Sequence, residues 1–344
     1  MQPSASRWEN LIEDSQLTST SDSSGQWLVA DIGGTRLRAA LSDAGGPPRA
    51  FAELACADYP GPAEALQHYL SSNAARPVAA CLAVAGPVAG DEFRFTNNAW
   101  AFSIEELRRR LGLERLLLKN DFEALALALP TLAGTDLHPL GLAIEPPSGR
   151  HTLAVVGPGT GLGVAALVPY AGCWIAQPGE GGHIGFAPQD DLEREVERVL
   201  RRSKTRVTNE DILSGAGLAA LYRAIGEVEG QPDAAHIAPA EVTRRALAGE
   251  EDLAVRAVEV FCAVLGAVAG DAALLTGARG GVFIGGGIAS RILPLLETSR
   301  FRQRFEDKGV QSAYVGAIGT AVILARSPAL AGAVAALRKE MKRR

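Results

Sequence analysis

The stretch QWLVADIGGTRLRAALSD, residues 26–43, decides how the rest of the chain is read. Residues 27–30 are a short apolar run of the kind that forms a buried strand, and residues 37–41 resume it. Between the two runs, Gly33-Gly34 predicts a tight hairpin. A plain hairpin needs neither the Asp31 before this turn nor the Thr35 after it. Glycines let backbone N–H groups approach a bulky anion, and Thr35 adds a hydroxyl donor. Asp31 would repel a bare phosphate but suits one that arrives with Mg2+. Taken alone, the stretch is read equally well as an ordinary hairpin with an incidental Asp.

A second copy changes that balance. LAVVGPGTGLGVAALV, residues 153–168, repeats the layout of apolar run, glycine-rich turn containing Gly-Thr, and apolar run. Two such hairpins predict two related halves that grip the phosphates of one nucleotide from opposite sides. Neither is a Walker loop, because no Gly-x-x-x-x-Gly-Lys-Ser/Thr occurs in the chain. Neither opens a helix after Gly-x-Gly-x-x-Gly, since both are followed by strand-like residues.

Other chemistry-bearing residues lie where predicted elements meet. Residues 116–118 form a buried strand leading into Lys119-Asn120-Asp121-Phe122, and residues 123–129 a helix stopped by Pro130. Asp121 thus sits at a strand-to-helix junction, where α/β proteins bind ligands. The local alternative is a helix N-cap, which Asn and Asp both favour. In QPGEGGHIG, residues 177–185, glycines surround Glu180 and His183, a pattern that builds no core and suits hydrogen bonds to vicinal hydroxyls. Residues 208–213 read as a capped helix start with Glu210 in its first turn, which the helix dipole alone would explain. Phe95-Thr96-Asn97-Asn98-Ala99-Trp100 offers amides and an aromatic to a polar ring, although Asn-Asn is also a common turn. Ser103 is expected to cap a helix over 104–111, with Glu106 completing a capping box.

Residues 252–276 read as one long apolar helix in which Gly266 and Gly270 admit a close neighbour. Arg256, Glu259 and Asp271 interrupt it, so a core helix is expected rather than a membrane span. Gly285-Gly286-Gly287 follows a strand and precedes a helix, which suits close approach of a flat ring such as adenine. Residues 1–25, rich in Ser and Thr, read as a flexible extension outside the fold. A net charge of −5 suggests no nucleic-acid or anionic-membrane partner. The scattered Cys56, Cys81, Cys173 and Cys262 suggest free thiols in a reducing cytosol, hence a cytoplasmic protein.

Together, ADIGGT (30–35), TNNAWAFS (96–103), NDF (120–122), GPGTGLG (157–163), PGEGGHIGFAP (178–188), ILSGAGL (212–218) and GVFIGGGI (281–288), in this order, resemble the bacterial glucokinase family. The resembling group lacks a structural zinc and belongs to the hexokinase and actin-like ATPase superfamily. The resemblance implies an α/β, two-domain actin-like ATPase (ribonuclease H-like) fold with a ligand cleft between the domains. The small domain would comprise 26–131 plus 325–344, and the large domain 132–324. It implies transfer of the γ-phosphoryl of ATP, carried with Mg2+, to the 6-hydroxyl of glucose.

By that resemblance Asp121 is the general base, and Asn120, Asp121, Glu180, His183 and Glu210 hold the sugar. Ala30, Asp31, Ile32, Gly33, Gly34 and Thr35 cradle the phosphates with Gly157, Gly159, Thr160 and Gly161. Asp31 orients Mg2+ through water, and Gly285, Gly286 and Gly287 pass beneath the adenosine. A homodimer is left open. Two positions depart from the family pattern: Arg36 stands where Asn is usual, and Lys119 where an apolar residue is usual. The alternatives carried forward are a kinase for mannose, fructose or glucosamine, and a sugar-binding regulator without catalysis.

Overall fold

The computed structural model describes residues 25–95, 98–231 and 237–342. The expected N-terminal extension, apart from Gly25, lies outside these residues, as do Thr96 and Asn97 of the amide-rich motif.

The two Gly-Thr hairpins nucleate two sheets of matching topology. In the first half, β1 (Gln26–Ile32), β2 (Arg36–Asp43) and β3 (Arg49–Ala55) form an antiparallel meander. β4 (Ala79–Val84) then pairs parallel to β1. A small hairpin of β5 (Glu92–Arg94) and β6 (Ala101–Ser103) stands apart, and β7 (Arg115–Asn120) pairs parallel to β4. The sheet order is β3-β2-β1-β4-β7. In the second half, β8 (Leu137–Pro139) precedes a second meander of β9 (Leu153–Pro158), β10 (Leu162–Tyr170) and β11 (Cys173–Gly179). With β12 (Val282–Ile284) and β13 (Thr320–Ile323) the order is β11-β10-β9-β12-β13-β8. Except for the edge strand β8, the second sheet repeats the first strand for strand.

Helices α1 (Pro62–Ser72) and α2 (Ile104–Arg110) belong to the first half. Ser103 caps α2 by accepting from Glu106 N at 3.0 Å. The expected capping box is only half made. Glu106 turns to Arg109, and Asp91 instead accepts from Ser103 Oγ and Glu105 N. Helix α3 (Asp121–Ala128) leaves the end of β7. In the second half α4 (Asp191–Leu200) packs on α5 (Gly215–Val228), and α5 and α6 (Pro239–Ala248) pack on α7 (Asp252–Thr276), which is largely buried as the core-helix reading requires. Short helices α8 (Gly287–Arg291), α9 (Leu293–Thr298), α10 (Phe301–Glu306) and α11 (Ser312–Gly316) follow, and α12 (Pro328–Met341) closes the fold. Gly266 and Gly270 do admit a neighbour. A Cβ there would lie 2.1 Å from Phe301 O and 2.4 Å from Phe305 O of α10.

Helices α3 and α12 join the two sheets. On one side, Leu330, Ala333, Val334 and Leu337 of α12 bury Trp27, Val29 and Cys81 of the first sheet. On the other, Leu125 of α3 and Leu129 just after it pack on Val155, Phe283 and Ile323 of the second. The two helices touch at Gly332, where a Cβ would meet Ala124 O at 1.7 Å. Any side chain at residue 332 would force α12 off α3, and with it the first sheet off the second.

Candidate active site

The site is built outward from the N-terminus of α3. Asn120, with φ −59° and ψ 147°, is the cap of this helix. Its Oδ1 accepts from Phe122 N at 2.9 Å and Glu123 N at 3.1 Å, and its Nδ2 donates to Gly86 O at 3.2 Å. The capping role that either residue could have taken thus falls to Asn120. Asp121, the first helical residue, does not cap the helix, and its Oδ1 accepts from the neighbouring Phe122 N, at 2.9 Å.

Asp121 lines a cavity of about 300 Å3 together with Asp31, Arg38, Gly285, Gly286 and Gly287. Residues expected at the base, the metal and the adenosine are therefore brought to one place. Burial pushes the Asp121 carboxyl up to about 6, with the charge of Asp31 adding to the rise and the Phe122 N–H opposing it. Glu180 contributes a smaller push in the same direction. Asp31 is also raised, first by burial, against the pull of Arg38. A carboxyl near 6 can take a proton from an alcohol at neutral pH while still being largely ionised beforehand.

The first hairpin reaches this cavity through Asp31 and Arg38 of its strands, while the turn residues Gly33, Gly34, Thr35, Gly159, Thr160 and Gly161 are not among its lining. In the first turn, Gly33 N donates to Arg36 O at 2.9 Å, and Thr35 is exposed at the tip. In the second, Gly159 N donates to Gly161 O at 2.8 Å and Thr160 is exposed. Gly157, in contrast, is fully buried beneath the ring of Phe122. Gly286 has φ +79°, and a Cβ there would meet Pro158 O at 2.2 Å, so only glycine lets this turn reach the end of β9. Gly287 opens α8 with nothing within 4 Å of a Cβ built on it.

Of the other expected sugar groups, Glu180 and His183 lie together beyond β11. Glu180 directly follows that strand, and His183 lies one turn on, with His183 Nε2 4.0 Å from Glu180 Oε2. Their side chains are 69% and 61% exposed, so this part of the cleft stands open. Glu210 requires a correction: it does not occupy a helix first turn. Residues 208–213 form turns held by Asp211, which accepts from Thr208 N and Oγ1, and the helix starts only at Gly215 after its cap Ser214. Glu210 Oε2 instead accepts from Leu162 N at 2.8 Å, and its N donates to Gly182 O at 2.9 Å. It therefore ties the second hairpin to the loop carrying Glu180 and His183. Asn98 behaves as the turn reading predicts, its Oδ1 accepting from Trp100 N at 3.0 Å.

The family profile of glucokinase matches residues 28–340. The chain belongs to the glucokinase family. A Chromobacterium violaceum glucokinase is 47% identical over 311 residues, covering 90% of this chain and 88% of that one. Among solved structures, a glucokinase from an Antarctic psychrotroph aligns with a TM-score of 0.82 at 37% identity, covering 92% of this chain and 99% of the other. The Balamuthia mandrillaris glucokinase, solved in complex with glucose, aligns at 0.74 and 21% identity over 90% and 92% of the two chains. At that identity the likeness concerns the fold alone. Membership makes this chain an enzyme, an ATP-dependent glucose kinase, on the expected two-domain actin-like fold.

Sequence reading missed several cavity walls. Arg38 faces Asp31 because the two are register partners across β1 and β2, and its Nη1 reaches Asp31 Oδ2 at 3.5 Å. Leu324, Ala325 and Ser327 after β13, with Pro328 and Ala329 at the start of α12, also line the cavity. Nothing in their composition signals a ligand. The two departures from the family pattern are both partnered: Arg36 pairs with Glu53 at 3.2 Å, and Lys119 with Glu123 at 2.6 Å. Lys119 thus brings no unopposed charge to the site.

Proposed function

We propose that Asp121 is the general base of glucose phosphorylation at the 6-hydroxyl. The observation that carries this is one carboxylate, relieved of helix capping by Asn120, that shares a cavity with Asp31. The 6-hydroxyl gives its proton to the Asp121 carboxylate as its oxygen bonds the γ-phosphorus of ATP. The bond from that phosphorus to the bridging oxygen breaks, and ADP leaves. Such a transfer relies on positioning and charge stabilisation rather than covalent chemistry by the protein.

Asn120, Glu180, His183 and Glu210 hold the other hydroxyls. Residues 30–35 and Gly157, Gly159, Thr160 and Gly161 cradle the phosphates, and Gly285, Gly286 and Gly287 underlie the adenosine. Mg2+ fits the donors present, since it is commonly held by one or two carboxylates, waters and substrate phosphates. Asp31, with Asp121 nearby, supplies hard oxygens facing the cavity. When bound, the ion would neutralise phosphate charge. Because Glu180 and His183 stand exposed, closure of 26–131 with 325–344 against 132–324 would be needed to keep water from ATP. All four cysteines are free thiols, which suits a reducing cytosol, where we place the reaction. The direct test is a coupled assay of ADP release against a panel of hexoses, in which glucose should be the preferred acceptor. No hexose-dependent release would overturn the assignment.

Two further outcomes are expected. The kcat/KM for glucose should fall about tenfold for each pH unit below about 6, as Asp121 takes up its proton. A profile flat between pH 7 and pH 5 would assign the proton elsewhere. Thr35→Val and Thr160→Val should each weaken ATP binding by about 1.5–3 kcal/mol, the value of a hydrogen bond to a charged group, without weakening glucose. Titration calorimetry with ADP and with glucose separates the two effects, and unchanged nucleotide affinity in both variants would leave the hairpins as structure only.

A further inference from the structure

We infer that Phe122 is a positioning residue that fixes Asp121 to the second phosphate hairpin, and that Gly157 and Gly163 are its seat. This rests on Asp121 being the base. Gly157 on β9 and Gly163 on β10 are cross-strand partners, one register step from the turn. The Phe122 ring lies against both. A Cβ on Gly157 would stand 2.6 Å from its Cζ, and a Cβ on Gly163 would stand 2.0 Å from Cδ2 and Cε2. These distances are far inside van der Waals contact, so the pair forms a flat slot that only two glycines leave open. The back of the slot is closed by Gly285, whose carbonyl carbon is 2.9 Å from the same Gly157 position.

Two of the glycines in GPGTGLG therefore seat an aromatic ring, Gly163 in its own right and Gly157 alongside its place in the phosphate hairpin. The ring follows Asp121 directly in α3 and lines the same cavity. Its seating sets where the carboxylate stands relative to the hairpin tip at Gly159 and Thr160. A displacement near 1 Å of a catalytic group can cost on the order of 10²-fold in rate. Phe122→Ala, which frees the helix start, should lower kcat by ~10- to 100-fold while glucose and ADP affinities change less than about threefold. Phe122→Leu, which still fills much of the slot, should retain most of the rate.

A double-mutant cycle on kcat tests the link. Gly163→Ala expels the ring and should lower kcat on its own. In the Phe122→Ala background it should cost almost nothing more, because the ring it displaces is gone. Each variant is assayed well below its melting temperature, measured in parallel, and Phe122→Leu provides a folded comparison if Phe122→Ala does not fold. Multiplicative effects, or a loss seen in melting temperature but not in kcat, would overturn the inference. Asp121→Asn is measured alongside. If it leaves turnover intact, the base assignment fails and this inference with it; if it abolishes turnover while the cycle is multiplicative, only the positioning role fails.

Discussion

Replacing Asp121 by Asn should lower glucose-dependent turnover by ~10²–10⁴-fold and, at neutral pH, raise the melting temperature of the ligand-free protein. The rate loss follows from removing a placed base while keeping its shape. The stability gain follows from electrostatics. Burial and the charge of Asp31 push the Asp121 carboxyl from 3.8 to about 6 in the folded chain. Folding therefore favours the protonated form. This group helps folding below about pH 4 and opposes it as pH rises through about 6, so its ionised form costs at most on the order of 3 kcal/mol at pH 7. An amide removes that cost. It sacrifices no helix cap, because Asn120 already holds the amides of Phe122 and Glu123. Melting at pH 7 and pH 4 should show the gain at the higher pH only. A variant with lower stability at pH 7, or with near wild-type turnover, would show Asp121 to be a structural residue.

That cost helps explain which parts of the site were legible in the sequence. Apolar runs broken by Gly-Gly and by Gly-Pro-Gly-Thr announced β1–β2 and β9–β10, because hairpin turns are local events that a few residues specify. Their repetition then carried the architecture, since each sheet grows by parallel addition beside its first strand. The junction at Asp121 was equally visible, but not which of Asn120 and Asp121 would cap. Both side chains suit a cap, and the choice rests on backbone torsion at Asn120 and on the distant Gly86 carbonyl.

Glu210 was misread for a related reason. Thr-Asn-Glu-Asp-Ile-Leu has every local mark of a helix start, yet Leu162 N and Gly182 O, both from elsewhere in the chain, bind it into a turn. Arg38 was overlooked because only cross-strand register places it opposite Asp31. Residues 324–329 were overlooked because their cavity role depends on where α12 docks. Chemistry written in one segment was readable; contacts that require two segments were not.

Glucose should raise the melting temperature far more than galactose, and kcat/KM should favour glucose by ~10⁴-fold or more. In the described structure Glu180 and His183 stand mostly exposed, where water satisfies them and a sugar hydroxyl gains little net energy. Discrimination on that scale requires the cleft to close, so that a missing or inverted hydroxyl leaves a buried carboxylate or imidazole unpaired. Glu210 holds the two ligand-facing loops of residues 132–324 together, since it grips both Leu162 at the phosphate hairpin and Gly182 in the sugar loop. A ligand that binds only the folded form stabilises it by RT ln(1 + [L]/Kd), about 2.7 kcal/mol at a hundredfold excess. Glucose at that excess should show the full effect, and galactose at the same concentration almost none. Mannose, altered at C2, should fall between them. Melting curves with each sugar, followed by phosphorylation rates with ATP, provide the comparison. Equal shifts by glucose and galactose would mean that Glu180 and His183 remain solvated when sugar binds, and the closed, water-excluding site proposed here would have to be abandoned.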